Sequence, residues 1–162
     1  MIIPDILQTI AEITVTLAGF MGVIVVFSTQ KVSGSELYFR IRWTFMQCMV
    51  VVISVLLPFV LVGFSSSPQV VWGIPLIFFA LANAGILFLG MYGIEAGPVK
   101  SASVALTYAA LAVSILITIS LLLSGLNILI PQIPEMLVLG AIWFMCMAAW
   151  GFMSSIKRGL ED

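Results

Sequence analysis

The chain has 162 residues, 62% of them hydrophobic and only 8% charged, whereas a soluble domain carries about 25% charged residues. Its formal net charge of -1 gives no basic field for nucleic acid, and a chain of this size cannot hide so many apolar side chains from water. Histidine is absent, which removes the commonest general base, the usual metal ligand and the axial ligand pair of a b-type haem. Enzyme, redox and nucleic-acid roles are therefore not expected, nor is a cofactor or metal, and the lipid bilayer is the expected partner.

A hydrocarbon layer about 30 Å thick takes about 20 mostly apolar residues as helix, and the sequence offers five such runs, at 6–27, 43–64, 70–94, 102–123 and 136–156. They are continuously apolar rather than alternating, and a helix satisfies its own backbone in lipid, so helix is preferred to strand. The first run lacks a basic n-region and exceeds the roughly 7–15 residues of a signal-peptide core, so it is read as a retained span. Pro4 suits a first helical turn and Asp5 the positive end of its dipole. Before the second run, Ser33 and Glu36 have capping-box spacing, which predicts a helix start near Gly34. That run carries Gln47, Ser54 and Pro58, and the third has Asn83 near its centre.

Between the fourth and fifth runs lies an apolar segment, 124–135, with Pro131 and Pro134, expected in the outer membrane interface. Gly63, Pro68 and Gln69 match Gly125, Pro131 and Gln132 with a one-residue shift, a faint sign of a duplicated hairpin. On the fifth run Trp143 and Trp150 are two turns apart and read as a tilted or lipid-facing packing pair, with an aromatic wall as the alternative. Cys48 and Cys146 read as buried free thiols. The fold class is an all-α integral membrane protein: one transmembrane unit, a bundle of five helices with no linker and no water-soluble domain.

The basic residues fix the expected orientation. Lys31, Arg40 and Arg42 precede the second run, Lys100 follows the third, and Lys157 and Arg158 follow the fifth; the other three connecting or terminal segments carry none. By the positive-inside rule the N-terminus is outside and the C-terminus in the cytoplasm. The expected location is a cell membrane, that of the bacterial inner membrane.

Within the apolar runs, the ionisable group that stands out is Glu12, because intramembrane carboxylates are rare and are functional hypotheses by default. Asp5, Gln8 or Thr9, Glu12, Thr16, Gly19 and Val23 follow three-and-four spacing, so the first span has a polar, small stripe expected to face protein or water. Glu12 has three open roles. It is a protonated carboxyl that hydrogen-bonds across helices, an ion-binding or proton-carrying group beside a path, or an interfacial Glu that snorkels outward. Pro58 frees the carbonyl of Ser54, which Glu12 is placed to reach by depth alone. Asn83 and Gln47 read as interhelical polar contacts, and Gly19 with Gly22 and Ala80 with Ala84 as marks of close helix approach.

Five spans in 162 residues resemble the translocator or tryptophan-rich sensory protein family in size. The chain lacks that family's Trp- and Pro-rich first cytoplasmic-loop motif, so the resemblance implies no residue roles. Two functional readings remain: a homo-oligomeric ion channel or transporter whose span-1 stripe lines the path, and a non-catalytic accessory or assembly subunit that docks onto another membrane protein.

Overall fold

The computed structural model describes residues 2–28, 35–95 and 104–161. These form five α-helices and, among the described residues, no strand: α1 (Ile2–Ser28), α2 (Ser35–Val62), α3 (Pro68–Glu95), α4 (Val104–Gly125) and α5 (Pro134–Glu161). Each holds a stretch long and apolar enough to cross a membrane, namely Ile3–Phe20, Arg42–Val62, Pro68–Leu89, Tyr108–Gly125 and Pro134–Gly151. The helices overrun the apolar runs where end residues favour a helical start. Pro68 and Pro134 open α3 and α5, positions where the missing N–H is not needed and φ is already set. The Ser67 carbonyl accepts the Val70 and Val71 amides, both at 3.1 Å. Lys31, Ser33 and Lys100 lie outside the described residues.

α2 packs against α1, α3 and α5; α5 touches every other helix; α4 rests on α3 and α5. Among the described residues α1 and α4 do not meet, so they are the opposite edges of the bundle. One buried cluster joins the helices through Leu7 and Ile10 of α1, Val51 and Val55 of α2, Leu76 and Phe79 of α3, Leu121 of α4, and Leu137 and Phe144 of α5. The Phe79 and Phe144 rings meet edge to face, with centroids 5.5 Å apart, a favoured aromatic geometry. A second cluster, Ala18, Cys48 and Ala148, ties α1, α2 and α5 further along. Both clusters are built of apolar side chains, and Thr14, Gln47, Ser54 and Asn83 are buried in the same bundle.

Glycines mark where backbones come closest. A Cβ at Gly140 would lie 2.9 Å from a Leu121 methyl and 3.0 Å from Phe79, and one at Gly151 would lie 2.8 Å from the Thr44 hydroxyl. Gly73 and Gly125 face each other across α3 and α4, since a Cβ at Gly73 would lie 3.2 Å from the Gly125 carbonyl oxygen. The close approach expected at Gly19 and Gly22 is not found among the described residues, because a Cβ at either would meet none of them within 4 Å. Ala80 is buried as expected, while Ala84 is exposed. Cys48 is buried, but Cys146 is exposed; it shares the outer side of α5 with Leu139, Ile142 and Trp150.

The α4–α5 connection is tightly specified. The Asn127 amide donates to the Ser124 carbonyl at 3.0 Å and the Ile128 amide to the Leu123 carbonyl at 2.9 Å, the paired bonds of a Schellman motif, with Asn127 at φ 55° in the left-handed position that motif requires. Leu129, at φ 65°, is spanned by a bond from the Ile130 amide to the Ile128 carbonyl of 2.8 Å, a γ-turn of the rarer, strained hand. Side chains complete the lock: Ser124 Oγ donates to the Pro131 carbonyl at 2.8 Å and Gln132 Nε2 to the Gly125 carbonyl at 2.7 Å. The α2–α3 turn is shorter and built differently, and α4 packs chiefly on α3, so the duplicated hairpin is not supported. Asn127→Val is expected to destabilise the protein by about 1–2 kcal/mol, the cost of left-handed backbone at a residue with a branched Cβ, whereas Asn127→Gly is tolerated. Thermal unfolding in detergent micelles checks this, and equal midpoints for the two variants would contradict the motif.

Candidate functional site

The face that α1 buries is set by Leu7, Ile10, Ala11, Thr14 and Ala18, the three-and-four spacing of one helical stripe. Thr14 satisfies its hydroxyl within its own helix, donating to the Ile10 carbonyl at 2.7 Å. Asp5, Gln8, Thr9, Glu12, Thr16, Gly19 and Val23 are all exposed. At about 100° per residue their stripe is centred nearly opposite the buried one. The polar face of α1 thus points directly away from its own bundle, flanked on one side by exposed Ile6, Ile13 and Phe20 and on the other by exposed Val15.

This face has internal order. Gln8 Nε2 donates to Glu12 Oε1 at 3.0 Å, Thr9 Oγ1 to the Asp5 carbonyl at 2.9 Å, and Thr16 Oγ1 to the Glu12 carbonyl at 2.8 Å. The threonines return their hydroxyl protons to the helix, leaving hydroxyl oxygens as outward acceptors beside the carboxylates of Asp5 and Glu12. Asp5 and Thr9 also line a shallow open depression with Ile6 and Ile10. Glu12 lies about 15 Å along α1 from Ile2 at 1.5 Å per residue. Its neighbour Ala11 belongs to the cluster that holds Val51 and Val55, and Ala18 to the one that holds Cys48. The carboxyl therefore sits level with the middle of the apolar stretch Arg42–Val62.

Glu12 does not reach the carbonyl of Ser54. Its hydrogen bond among the described residues is the one from Gln8, and it faces out while Ser54 is fully buried. The Ser54 hydroxyl donates to the Val50 carbonyl at 2.6 Å. Depth alone suggested that contact, and the rotation of α1 removes it. Pro58 is inside α2 as expected, and Pro75 interrupts α3 likewise.

The remaining polar candidates are interior and scattered. Gln47 is buried on α2. Asn83 is fully buried on α3, donating from Nδ2 to the Phe79 carbonyl at 2.9 Å, while its Oδ1 has no partner among the described residues; a buried acceptor left so costs about 1–3 kcal/mol. Neither joins the α1 stripe. The sequence also missed a bond between helices: Trp143 is half-buried and its Nε1 donates to Ser114 Oγ on α4 at 2.9 Å, rather than facing lipid. Ser114 and Thr118 donate in turn to the Ala110 and Ser114 carbonyls, both at 2.8 Å. Among the described residues, no three Cys, Asp or Glu side chains converge on a point where a metal ion could be held.

The outward faces of the other helices are different. α4, the opposite edge, shows Tyr108, Val113, Ile115, Leu116 and Ile119; α3 shows Ile74, Phe78, Leu81, Phe88 and Leu89; α2 shows Phe45, Ile53, Leu56, Phe59 and Val60. Comparison with protein-family models, curated proteins and solved structures found no match for this chain.

Proposed function

We propose that this is a multi-pass protein of a cell membrane, N-terminus outside and C-terminus in the cytoplasm, that assembles with copies of itself into an ion channel or transporter whose path runs between subunits along α1. The observation that carries this reading is the contrast between the two edge helices: α4 turns an apolar face outward, while α1 turns out Asp5, Gln8, Thr9, Glu12 and Thr16. A carboxyl at mid-membrane depth facing lipid is strongly unfavourable, so the α1 face needs water or protein against it. The carboxyls of Asp5 and Glu12 face away from the buried clusters of their own bundle, which favours the space between chains.

An edge helix with all its partners behind it is well placed for this role, because rotating copies about an axis beside α1 brings the stripes together without clashing the other helices. Gly19 and Gly22, open on this side, permit close backbone approach. Stacked carboxylates at Asp5 and Glu12 would form rings that favour cations. Assembly is tested first. In protein with Cys48→Ala and Cys146→Ala, Thr16→Cys is expected to cross-link to a covalent dimer in native membranes under oxidising conditions, whereas Leu116→Cys on α4 is not. A monomer for both, or equal cross-linking at both, would sink the self-assembly and favour an accessory subunit that docks α1 onto a different membrane protein.

A further inference from the structure

The α4–α5 connection sits lower than the end of a bundle ordinarily places a loop. Gln132 lies against Gly73, and Gly125 against Ile77, so α4 ends beside the part of α3 that is five to nine residues past Pro68, about 7–13 Å along the helix. The segment 126–133 therefore covers the flank of the first turns of α3, which already belong to the apolar stretch Pro68–Leu89. It carries no charged residue, and its tips are apolar: Leu129 is 90% exposed, and Leu126, Ile128 and Ile133 are exposed too. Phe64, in the neighbouring α2–α3 turn, is 84% exposed.

Non-helical backbone is tolerated near hydrocarbon only when its polar groups are satisfied, and here four of the segment's amides are bonded by the chain itself, the rest being left to the water of the interfacial layer. The amides of Leu126, Asn127, Ile128 and Ile130 all donate within the segment or to α4. The carbonyls of Gly125 and Pro131 accept from Gln132 and Ser124, and Pro131 and Pro134 have no amide hydrogen to satisfy. The γ-turn at Leu129 leaves its apolar side chain standing outward at the tip of the segment. We infer that segment 126–133 is a lipid-binding surface: it lies in the interfacial layer of the leaflet at this end of the bundle, with Ile128 and Leu129 among the acyl chains, and it fills the space above the short helix α4. Exposed Ile119 and Leu116 stand about two to three turns back along α4, inside the apolar stretch Tyr108–Gly125 that ends where this segment begins, which is why lipid rather than a partner protein is the occupant chosen.

This inference rests on the reading of the five helices as membrane spans, but not on the role given to α1. Nitroxide labels at Leu129→Cys, Ile128→Cys, Ser66→Cys and Leu116→Cys, each in protein with Cys48→Ala and Cys146→Ala, separate the possibilities after reconstitution into phosphatidylcholine and phosphatidylglycerol vesicles. Collision with oxygen, which partitions into lipid, is compared with collision with a water-soluble nickel chelate. The expected result is an oxygen-to-nickel ratio several-fold higher at 129 and 128 than at 66, and highest at 116. Ratios at 129 and 128 equal to that at 66, with 116 still lipid-exposed, would overturn the inference alone; shielding of 129 and 128 from both reagents would overturn it in favour of a protein partner. A water-exposed 116 would instead overturn the membrane reading beneath it.

Discussion

Gly125→Val is expected to be the most damaging single substitution in the helix contacts described. A Cβ at this position would lie 2.7 Å from Ile77 Cγ1, 3.0 Å from the Ile77 backbone nitrogen and 3.2 Å from Leu76 Cβ. None of these is the free end of a flexible side chain, so α4 would have to lift away from α3. Overpacking a filled interior typically costs about 1–3 kcal/mol, and a branched side chain against backbone belongs at or above the top of that range. The same movement would stretch the 2.7 Å bond from Gln132 Nε2 to the Gly125 carbonyl and loosen the segment that follows. Gly19→Ala is the comparison, because a Cβ there meets nothing within 4 Å. The thermal midpoint in dilute micelles should fall sharply for Gly125→Val and hold for Gly19→Ala; unfolding of both at the wild-type midpoint would mean that α3 and α4 are not in this contact.

The helices were legible because their signal is long and redundant. Five apolar stretches of membrane length survive errors of a few residues at each end, and Pro68 and Pro134 punctuate the chain where α3 and α5 begin. The α1 stripe was also legible, because spacing by three and four places Asp5, Thr9, Glu12 and Thr16 on one side whatever the packing. Which way that side turns was not. Rotation of a helix about its axis depends on what its opposite face finds, and Leu7, Ala11, Thr14 and Ala18 look no more interior in sequence than Ile6, Ile13 and Phe20, yet the first set is buried and the second exposed.

Contacts between distant residues were illegible for the same reason. The bond from Trp143 to Ser114 joins positions 29 apart, and no local pattern distinguishes a tryptophan that reaches a neighbouring helix from one left exposed, as Trp150 is at 59%. Glycine spacing misled in the same way. Gly19 and Gly22 have the spacing of a helix contact but stand open, while Gly73, Gly125 and Gly140, which have no such spacing, are pressed against neighbours. Small residues allow an approach; the partner decides whether it happens. That leaves the open glycines of α1 consistent with an approach from outside the chain.

The account turns on Glu12, and the most direct measurement is cation efflux from proteoliposomes loaded with protein of defined assembly state. Glu12→Gln keeps the size of the side chain and an oxygen able to accept the bond now given by Gln8 Nε2 at 3.0 Å, so the subunits should still assemble with wild-type size. It removes the carboxyl from the proposed path, and cation flux should fall by about tenfold or more, the factor that corresponds to about 1.4 kcal/mol at a barrier. Glu12→Leu, which also removes the acceptor, should weaken assembly itself. Wild-type flux in correctly assembled Glu12→Gln protein, or no cation flux from assembled wild-type protein, would contradict the ion path and leave the polar face of α1 as a surface for association alone.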